Sequence, residues 1–249
     1  MHLYDRQGNP VYKVPYADPS RGMRDSTLGD AKKLGLVPSV TEIIKVMSAP
    51  GLELWKMDRA IDAAAENPCK GKTASGKYRQ FIRHKSQEIA NRAADKGDKI
   101  HNALEKFYLG DQVPLEYLTL VREVDARICE EIGIKRWQAE KSFASPIGYG
   151  GKVDLSATDG SVVLDFKTKE EIIPGKTLGY DNHIIQLAAY RVGLKYYKAR
   201  VYNVFISWDG DVVIVPWSEE ETQRGWSLFI AGDNLFCLSK NFNQSGEAN

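Results

Sequence analysis

Cysteine is scarce in this chain: Cys69, Cys129 and Cys237 are the only 3 in 249 residues. They are widely separated and form no metal-ligand spacing, and their odd number points to reduced thiols in a cytosolic setting. An excess of either charge is missing too, because 34 Lys and Arg against 33 Asp and Glu leave a net +1. The chain as a whole is therefore not a basic nucleic-acid binder, and any such binding must come from a local patch. No apolar run approaches the ~20 residues of a membrane span. The opening residues, Met1-His-Leu-Tyr-Asp-Arg6, lack the charged-then-apolar pattern of a secretory signal. There is no internal repeat and no low-complexity tract. What the chain does have is 43% hydrophobic residues, enough for a sizeable core in one large domain or a core with an appended lobe.

Residues 1–38 are polar, rich in Gly, Pro and Tyr, and read as an arm with a small hairpin around Gly8-Asn9. Ser39-Val-Thr-Glu42 reads as a capping box opening a helix that Pro50 ends. A second helix is expected from Gly51 to Glu66 and a loop over 67–76, with helical patterns at 77–94, 96–109 and 115–132. The period then changes from 3.6 to 2, giving strands at 135–145, 149–157, 161–168, 201–207 and 211–217. A helix at 181–197, between the third and fourth strands, implies a crossover within one sheet. Ser218-Glu-Glu-Glu221 caps a last helix running to 239, and the tail after Asn241 is polar and reads as disordered. The expected fold class is α/β, a mixed central sheet with flanking helices. Its divisions are an arm (1–38), a helical lobe (39–94), a core (95–240) and a tail (241–249).

The densest chemistry lies in Gly151-Lys-Val-Asp154, Asp159-Gly160 and Val162-Val-Leu-Asp165-Phe-Lys167. Asp-Gly between two apolar alternating runs is a strong hairpin signal. A two-residue turn there pairs Thr158 with Ser161 and sets Asp154 opposite Asp165. Facing carboxylates are destabilising, so a cation between them is expected. Lys167 shares the face of Asp165 by the period-2 rule, while Val153, Leu155, Leu164 and Phe166 form the apolar face. The plain alternative is a surface hairpin with three solvated charges.

Other candidates surround it. His101 and Glu105 follow Gly97 at i+4 and i+8 on one helix face, beside the stripe Ile100, Leu104 and Phe107. Neutral His is a common metal ligand, a Gly one turn earlier admits a close neighbour, and the alternative is a His packed between helices. Gln186 and Tyr190 stand at i, i+4 on an otherwise apolar helix and can donate to phosphate oxygens; the alternative is a snorkelling Tyr beside a surface Gln. Lys70, Lys72, Lys77, Arg79, Arg83 and Lys85, interleaved with Tyr78 and Phe81, form a segment without acids. Such a patch follows a phosphate backbone and stacks bases, or is a solvated helix face. Glu140, on the first strand, could hold a metal-bound water or be an exposed carboxylate.

Taken in order, His101, Gly151 to Asp154, Asp165 to Lys167 and Gln186 to Tyr190 resemble the PD-(D/E)XK nuclease superfamily, in its RecB-like exonuclease branch. The resemblance covers residues 95–215, and Val37-Pro-Ser-Val-Thr-Glu-Ile-Ile44 is similar to a stretch near the start of phage-encoded and mitochondrial-genome-maintenance exonucleases. Val153 stands where the superfamily has Pro. The resemblance implies a restriction-endonuclease-like core and a metal-dependent deoxyribonuclease, most readily an exonuclease acting on DNA ends or single strands. It implies Mg²⁺ or Mn²⁺ bound by His101, Asp154, Asp165 and the backbone carbonyl of Phe166. Lys167 would orient or deprotonate the attacking water, and Gln186 and Tyr190 would steady the strand and Lys167. Some relatives carry four cysteines around an iron–sulfur cluster; the three here cannot, so no cluster is expected. The implied partners are DNA and a recombination or replication protein, without a membrane, in the cytoplasm as a phage-encoded protein. The rival readings are a catalytically weak DNA-binding or recombination module on the same fold, and a structure-specific endonuclease.

Overall fold

A computed structural model describes residues 1–47, 50–71 and 73–244. In chain order its elements are β1 (Leu3–Tyr4), β2 (Lys13–Pro15), β3 (Met23–Asp25), α1 (Leu28–Leu34), β4 (Val37–Pro38), α2 (Val40–Ile44), α3 (Pro50–Glu66), α4 (Gly76–Leu109), α5 (Leu115–Ile132), β5 (Trp137–Ala144), β6 (Gly150–Ala157), β7 (Val162–Lys169), α6 (Asp181–Gly193), β8 (Arg200–Ser207), β9 (Val212–Trp217) and α7 (Glu219–Lys240). Strands β5 to β9 form one sheet in sequence order. Strands β7 and β8 run parallel and the other neighbours antiparallel. Helix α6 makes the crossover that the parallel pair requires. The fold class is the expected one, α/β with a mixed central sheet flanked by helices.

Both faces of the sheet are covered. Ile100, Leu104, Val121 and Ile128 of α4 and α5 pack with Leu155, Leu164, Phe166 and Val204 on one side. Ile43, Ile184, Leu187 and Phe229 of α2, α6 and α7 pack with Val153, Val163 and Val201 on the other. Double coverage explains why Val162-Val163-Leu164 is an unbroken apolar run, as strands buried on two sides are.

Several expectations are revised. The helices at 77–94 and 96–109 are a single helix, α4, of 34 residues. No Pro interrupts it, and Gly97 is buried mid-helix rather than acting as a stop. Its later half is packed on the sheet through Ile100, Ala103 and Leu104, while the first half buries only Ile82. Pro50 opens α3; the preceding helix already stops at Ile44, with Lys45 as cap. Ser39 does cap α2 by accepting from Glu42 N–H at 3.1 Å. Glu42 does not complete the box, because the Ser39 N–H is bonded to the His2 carbonyl. Helix α6 is four residues shorter than expected, since Lys195 turns to φ 62° after it.

The first 38 residues are not a free arm. Asp5 organises the expected turn at Gly8-Asn9 by accepting from the Gln7 and Asn9 N–H groups. Leu3, Ala31 and Leu36 lie in the same apolar cluster as Val153 and Ile184. The far end is likewise packed through Gln244, whose side-chain amide donates to Asp233 at 2.6 Å, with Phe242 buried beside Phe236. Residues 245–249 lie outside the described residues.

Candidate active site

The site sits where β6 and β7 part. Leu155 pairs with Leu164 and Ser156 with Val163, the register in which Asp154 would face Asp165. The turn is not the expected one. Gly160, at φ 73°, donates to the Ala157 carbonyl at 2.9 Å. The Asp159 carboxylate accepts from the Ser161 N–H and hydroxyl. Thr158 donates to the Arg136 carbonyl instead of pairing with Ser161.

Past Leu155 the ladder stops, and a side chain replaces it. Asp154 Oδ2 accepts the Phe166 N–H at 2.8 Å, a donor that a ladder carbonyl would otherwise satisfy. The N–H and C=O of one strand residue point to the same neighbour, so the Phe166 carbonyl also faces β6.

The cause lies one strand further out. On β5, Trp137 and Ala139 pack with the α4–α5 layer and Phe143 with the α6–α7 layer; on β6, Leu155 and Ala157 go with the first and Val153 with the second. All are odd-numbered, so strict period-2 alternation would keep each set on one face. The alternation resets at Glu140 and Asp154, which lie between the pairs Ala139–Leu155 and Lys141–Val153. Glu140 carries the turn at φ 54°, a left-handed conformation that costs a non-glycine residue about 1–3 kcal/mol. Val153 therefore does not share the apolar face of Leu155, as the sequence pattern suggested.

Asp165 is 2% exposed and accepts from three side chains. Gln186 Nε2 donates to Oδ1 at 2.9 Å and Asn203 Nδ2 to Oδ2 at 2.9 Å. Lys167 Nζ lies 2.5 Å from Oδ2. Gln186 links the cluster: its Oε1 accepts from Lys167 at 3.1 Å, and its Nε2 reaches Tyr190 Oη at 2.9 Å. Behind Asn203, Trp217 Nε1 donates to Oδ1 at 2.9 Å. Burial, and after it the charges of Asp165 and Asp154, push the Tyr190 hydroxyl far up, so it stays neutral. Burial, and then the charge of Asp165, likewise holds the Asp154 carboxyl well above the ordinary carboxylate range.

His101 approaches from the opposite layer. Its Nδ1 is 3.8 Å from Asp154 Oδ2, and its ring meets Phe166 edge-on at 6.2 Å. Burial, then Lys167, lowers its pKa, leaving a neutral imidazole with a lone pair to offer. Gly97, one turn earlier, permits this approach, because a Cβ there would lie 2.6 Å from Thr168 Oγ1. Gly151 does the same for Tyr190, since its Cβ would stand 2.9 Å from both Tyr190 Cε1 and Phe143 Cε1.

The remaining candidates are placed elsewhere. Glu140 is partly buried and ion-paired with Lys152, so it is not an exposed strand carboxylate. Burial, with a smaller contribution from the nearby Glu105, raises the Glu140 carboxyl; the Lys152 ammonium is raised, against its burial, by Glu140 and then by Glu105. Lys70, Lys77, Arg79, Phe81 and Arg83 are exposed on the projecting half of α4 and the loop before it. At ~1.5 Å per residue, Arg83 stands roughly 27 Å along the helix from His101. Tyr78 is a structural tie rather than a free ring, its hydroxyl donating to the Asn67 carbonyl at 2.8 Å. Lys85 is paired with Glu88 at 2.8 Å. Lys72 lies outside the described residues.

Sequence reasoning missed Asn203 and Trp217. The signal for Asn203 was present: a lone amide in Val-Tyr-Asn-Val-Phe-Ile, an apolar strand whose interior tolerates a polar group only with a partner.

The donor set suits a hard divalent cation, with two adjoining carboxylates, a carbonyl and one neutral imidazole. Among the described residues no three His, Cys, Asp or Glu side chains converge as a ready metal cage. Asp165 instead has both oxygens turned to N–H donors.

No family model matches this chain, and no curated protein matches it. Among solved structures, it is similar to a candidate exonuclease from Eubacterium rectale, with a TM-score of 0.42 at 13% identity over 59% of this chain and 68% of that one. It is also similar to SSO0001, with a TM-score of 0.32 at 13% identity over 79% of this chain and 97% of the other. Likeness this slight carries no argument about activity.

Proposed function

We propose that the chain is a metal-dependent nuclease that hydrolyses phosphodiester bonds of DNA from ends or on single strands. The observation that carries this reading is the single hydrogen-bonded cluster of Asp165, Lys167, Gln186 and Tyr190, lying beside Asp154 and His101 at the gap between β6 and β7. His101, Asp154, Asp165 and the Phe166 carbonyl would hold Mg²⁺ or Mn²⁺. A bound divalent ion supplies Lewis acidity toward a phosphoryl oxygen and lowers the pKa of water. Its charge also relieves the repulsion between the two aspartates.

The chain's own groups do the rest. Lys167 is held by Asp165 and Gln186, so its ammonium is fixed beside the carboxylates, where it can orient a water and offset charge growing on the phosphate. Gln186 and Tyr190 keep that lysine in place. A nuclease of this kind digests linear DNA with Mg²⁺ or Mn²⁺, and Asp165→Ala and Lys167→Ala each abolish digestion. Wild-type rates in either variant would rule the assignment out.

A second reading, a DNA-binding module without turnover, is favoured by the internally satisfied Asp165. Such a module retains DNA in chelator and leaves it uncut when metal is added. Digestion of closed circular DNA would instead mark a structure-specific endonuclease.

A further inference from the structure

Strand β7 carries a second cation on the face of Lys167. Lys169 is two residues on, so the two side chains are spaced roughly 6.6 Å apart at ~3.3 Å per residue. That is close to the step between successive phosphates of one nucleic-acid strand. Lys167 is engaged by Asp165 and Gln186. Lys169, by contrast, has no carboxylate partner among the described residues. Its ammonium lies over aromatic rings, 5.5 Å from the centre of Tyr180 and 5.8 Å from that of Phe205.

Lys176 brings a third positive charge into range. Burial, and then Lys167 and Lys176, hold the Lys169 ammonium below the ordinary lysine range. The adjoining carboxylate does not relieve this, because Glu170 is turned to Arg59 at 3.4 Å. The backbone that presents Lys169 is anchored, its carbonyl accepting the Trp208 N–H at 3.0 Å. Tyr180 is 41% exposed, with His183 tilted against its ring at 5.7 Å, and its exposed part offers a surface on which a base can stack. Clustered ammonium groups beside an open ring, at the carboxyl end of a parallel strand, match the chemistry of a phosphodiester strand.

We propose that Lys169, with the ring of Tyr180, holds the phosphate next to the scissile one, on a single strand that leaves the site over the end of β7. The inference rests on the nuclease reading, and its test is kept separate from turnover. Binding of a fluorescein-labelled short single-stranded DNA is followed by anisotropy in chelator, over a range of salt. Lys169→Met weakens binding about tenfold, the size of one charge-assisted contact. It also lowers the slope of log affinity against log salt by about 0.7, one phosphate's share on a single strand.

Lys169→Arg restores both quantities. Tyr180→Ala weakens binding and leaves the slope unchanged, because stacking releases no counterion. A salt slope unmoved by Lys169→Met, or a wild type that does not bind the strand, would overturn the inference. Loss of binding and slope in Lys169→Met, alongside a wild type that never cuts, would retain the strand site and discard the nuclease.

Discussion

Asn203 offers the sharpest test of the site, because one atom can be changed there without changing its shape. Its Nδ2 donates to Asp165 and its Oδ1 accepts from Trp217, and the residue is fully buried. Asn203→Asp keeps the acceptor for Trp217 and sets a second carboxylate oxygen 2.9 Å from Asp165 Oδ2. At an effective dielectric near 20, two full charges at that separation repel by roughly 6 kcal/mol. The fold avoids most of this by holding a proton, so the new acid has a raised pKa in the folded state.

The sign follows from linkage. A group whose folded pKa is raised is not penalised below its unfolded pKa of about 4. Above it, stability falls by about 1.4 kcal/mol per pH unit until the folded pKa is reached. Relative to wild type, Asn203→Asp is therefore nearly neutral in acid and loses about 4 kcal/mol by neutral pH. Asn203→Ala is the control: it leaves the Trp217 donor unpaired, takes one donor from Asp165 and costs about 1–3 kcal/mol, without adding a new acid to titrate. Urea unfolding in chelator across the acid-to-neutral range measures both. If Asn203→Asp loses the same amount at every pH, Asp165 is not the charged hub of the cluster.

Gly151→Ala drives a methyl into the Tyr190 and Phe143 rings; overpacking of this kind costs about 1–3 kcal/mol, and digestion falls with it as Tyr190 leaves Gln186, so unchanged unfolding and turnover would refute the role of the missing side chain. Gly97→Ala combines a gain of about 1 kcal/mol in helix propensity with a clash at Thr168 Oγ1, 2.6 Å away. In the Thr168→Ala background the same change stabilises by about that gain, and a double-mutant cycle without coupling would show that the two do not touch. Arg191 binds Glu219 through two hydrogen bonds of 2.6 and 2.9 Å and holds its carboxyl down to about 2. Because that folded pKa is depressed, the stability it brings is complete above the ordinary glutamate range and is lost as pH falls through about 2. Glu219→Gln removes this acid sensitivity, and thermal midpoints that still fall in parallel with wild type would contradict it.

What the sequence disclosed was set by local periodicity. Period 2 puts Asp165 and Lys167 on one face, and the i, i+4 rule puts Gln186 and Tyr190 on one side of α6. The crossover helix then has to lie over that face, so their convergence needed no long-range information. Three features did need it. The continuity of α4 through Gly97 reflects its place against Thr168, where a side chain would clash, and not a helix stop. The packing of residues 1–38 depends on a few apolar side chains, such as Leu3 and Leu36, reaching the core from a mostly polar segment. The Trp217–Asn203–Asp165 relay crosses three strands, and no spacing rule along the chain encodes it.

The face switch at Glu140 and Asp154 shows why an opposed acid pair is compatible with a sheet at all. In a regular ladder the two aspartates would stand side by side on one surface, with Cβ atoms roughly 4.5–5.5 Å apart and no relief for their charges. By resetting the alternation, the chain turns Asp154 out of the face and into the plane of the sheet, where the Phe166 N–H receives it at 2.8 Å. That single bond terminates the β6–β7 ladder and opens the gap. It also brings Asp154 within 3.8 Å of His101 from the α4 layer, while Asp165 remains tied to Gln186 on α6. One carboxylate then answers to each helical layer, and the space between them is bounded by protein on both sides. The left-handed turn at Glu140 is thus the local strain on which the juxtaposition depends.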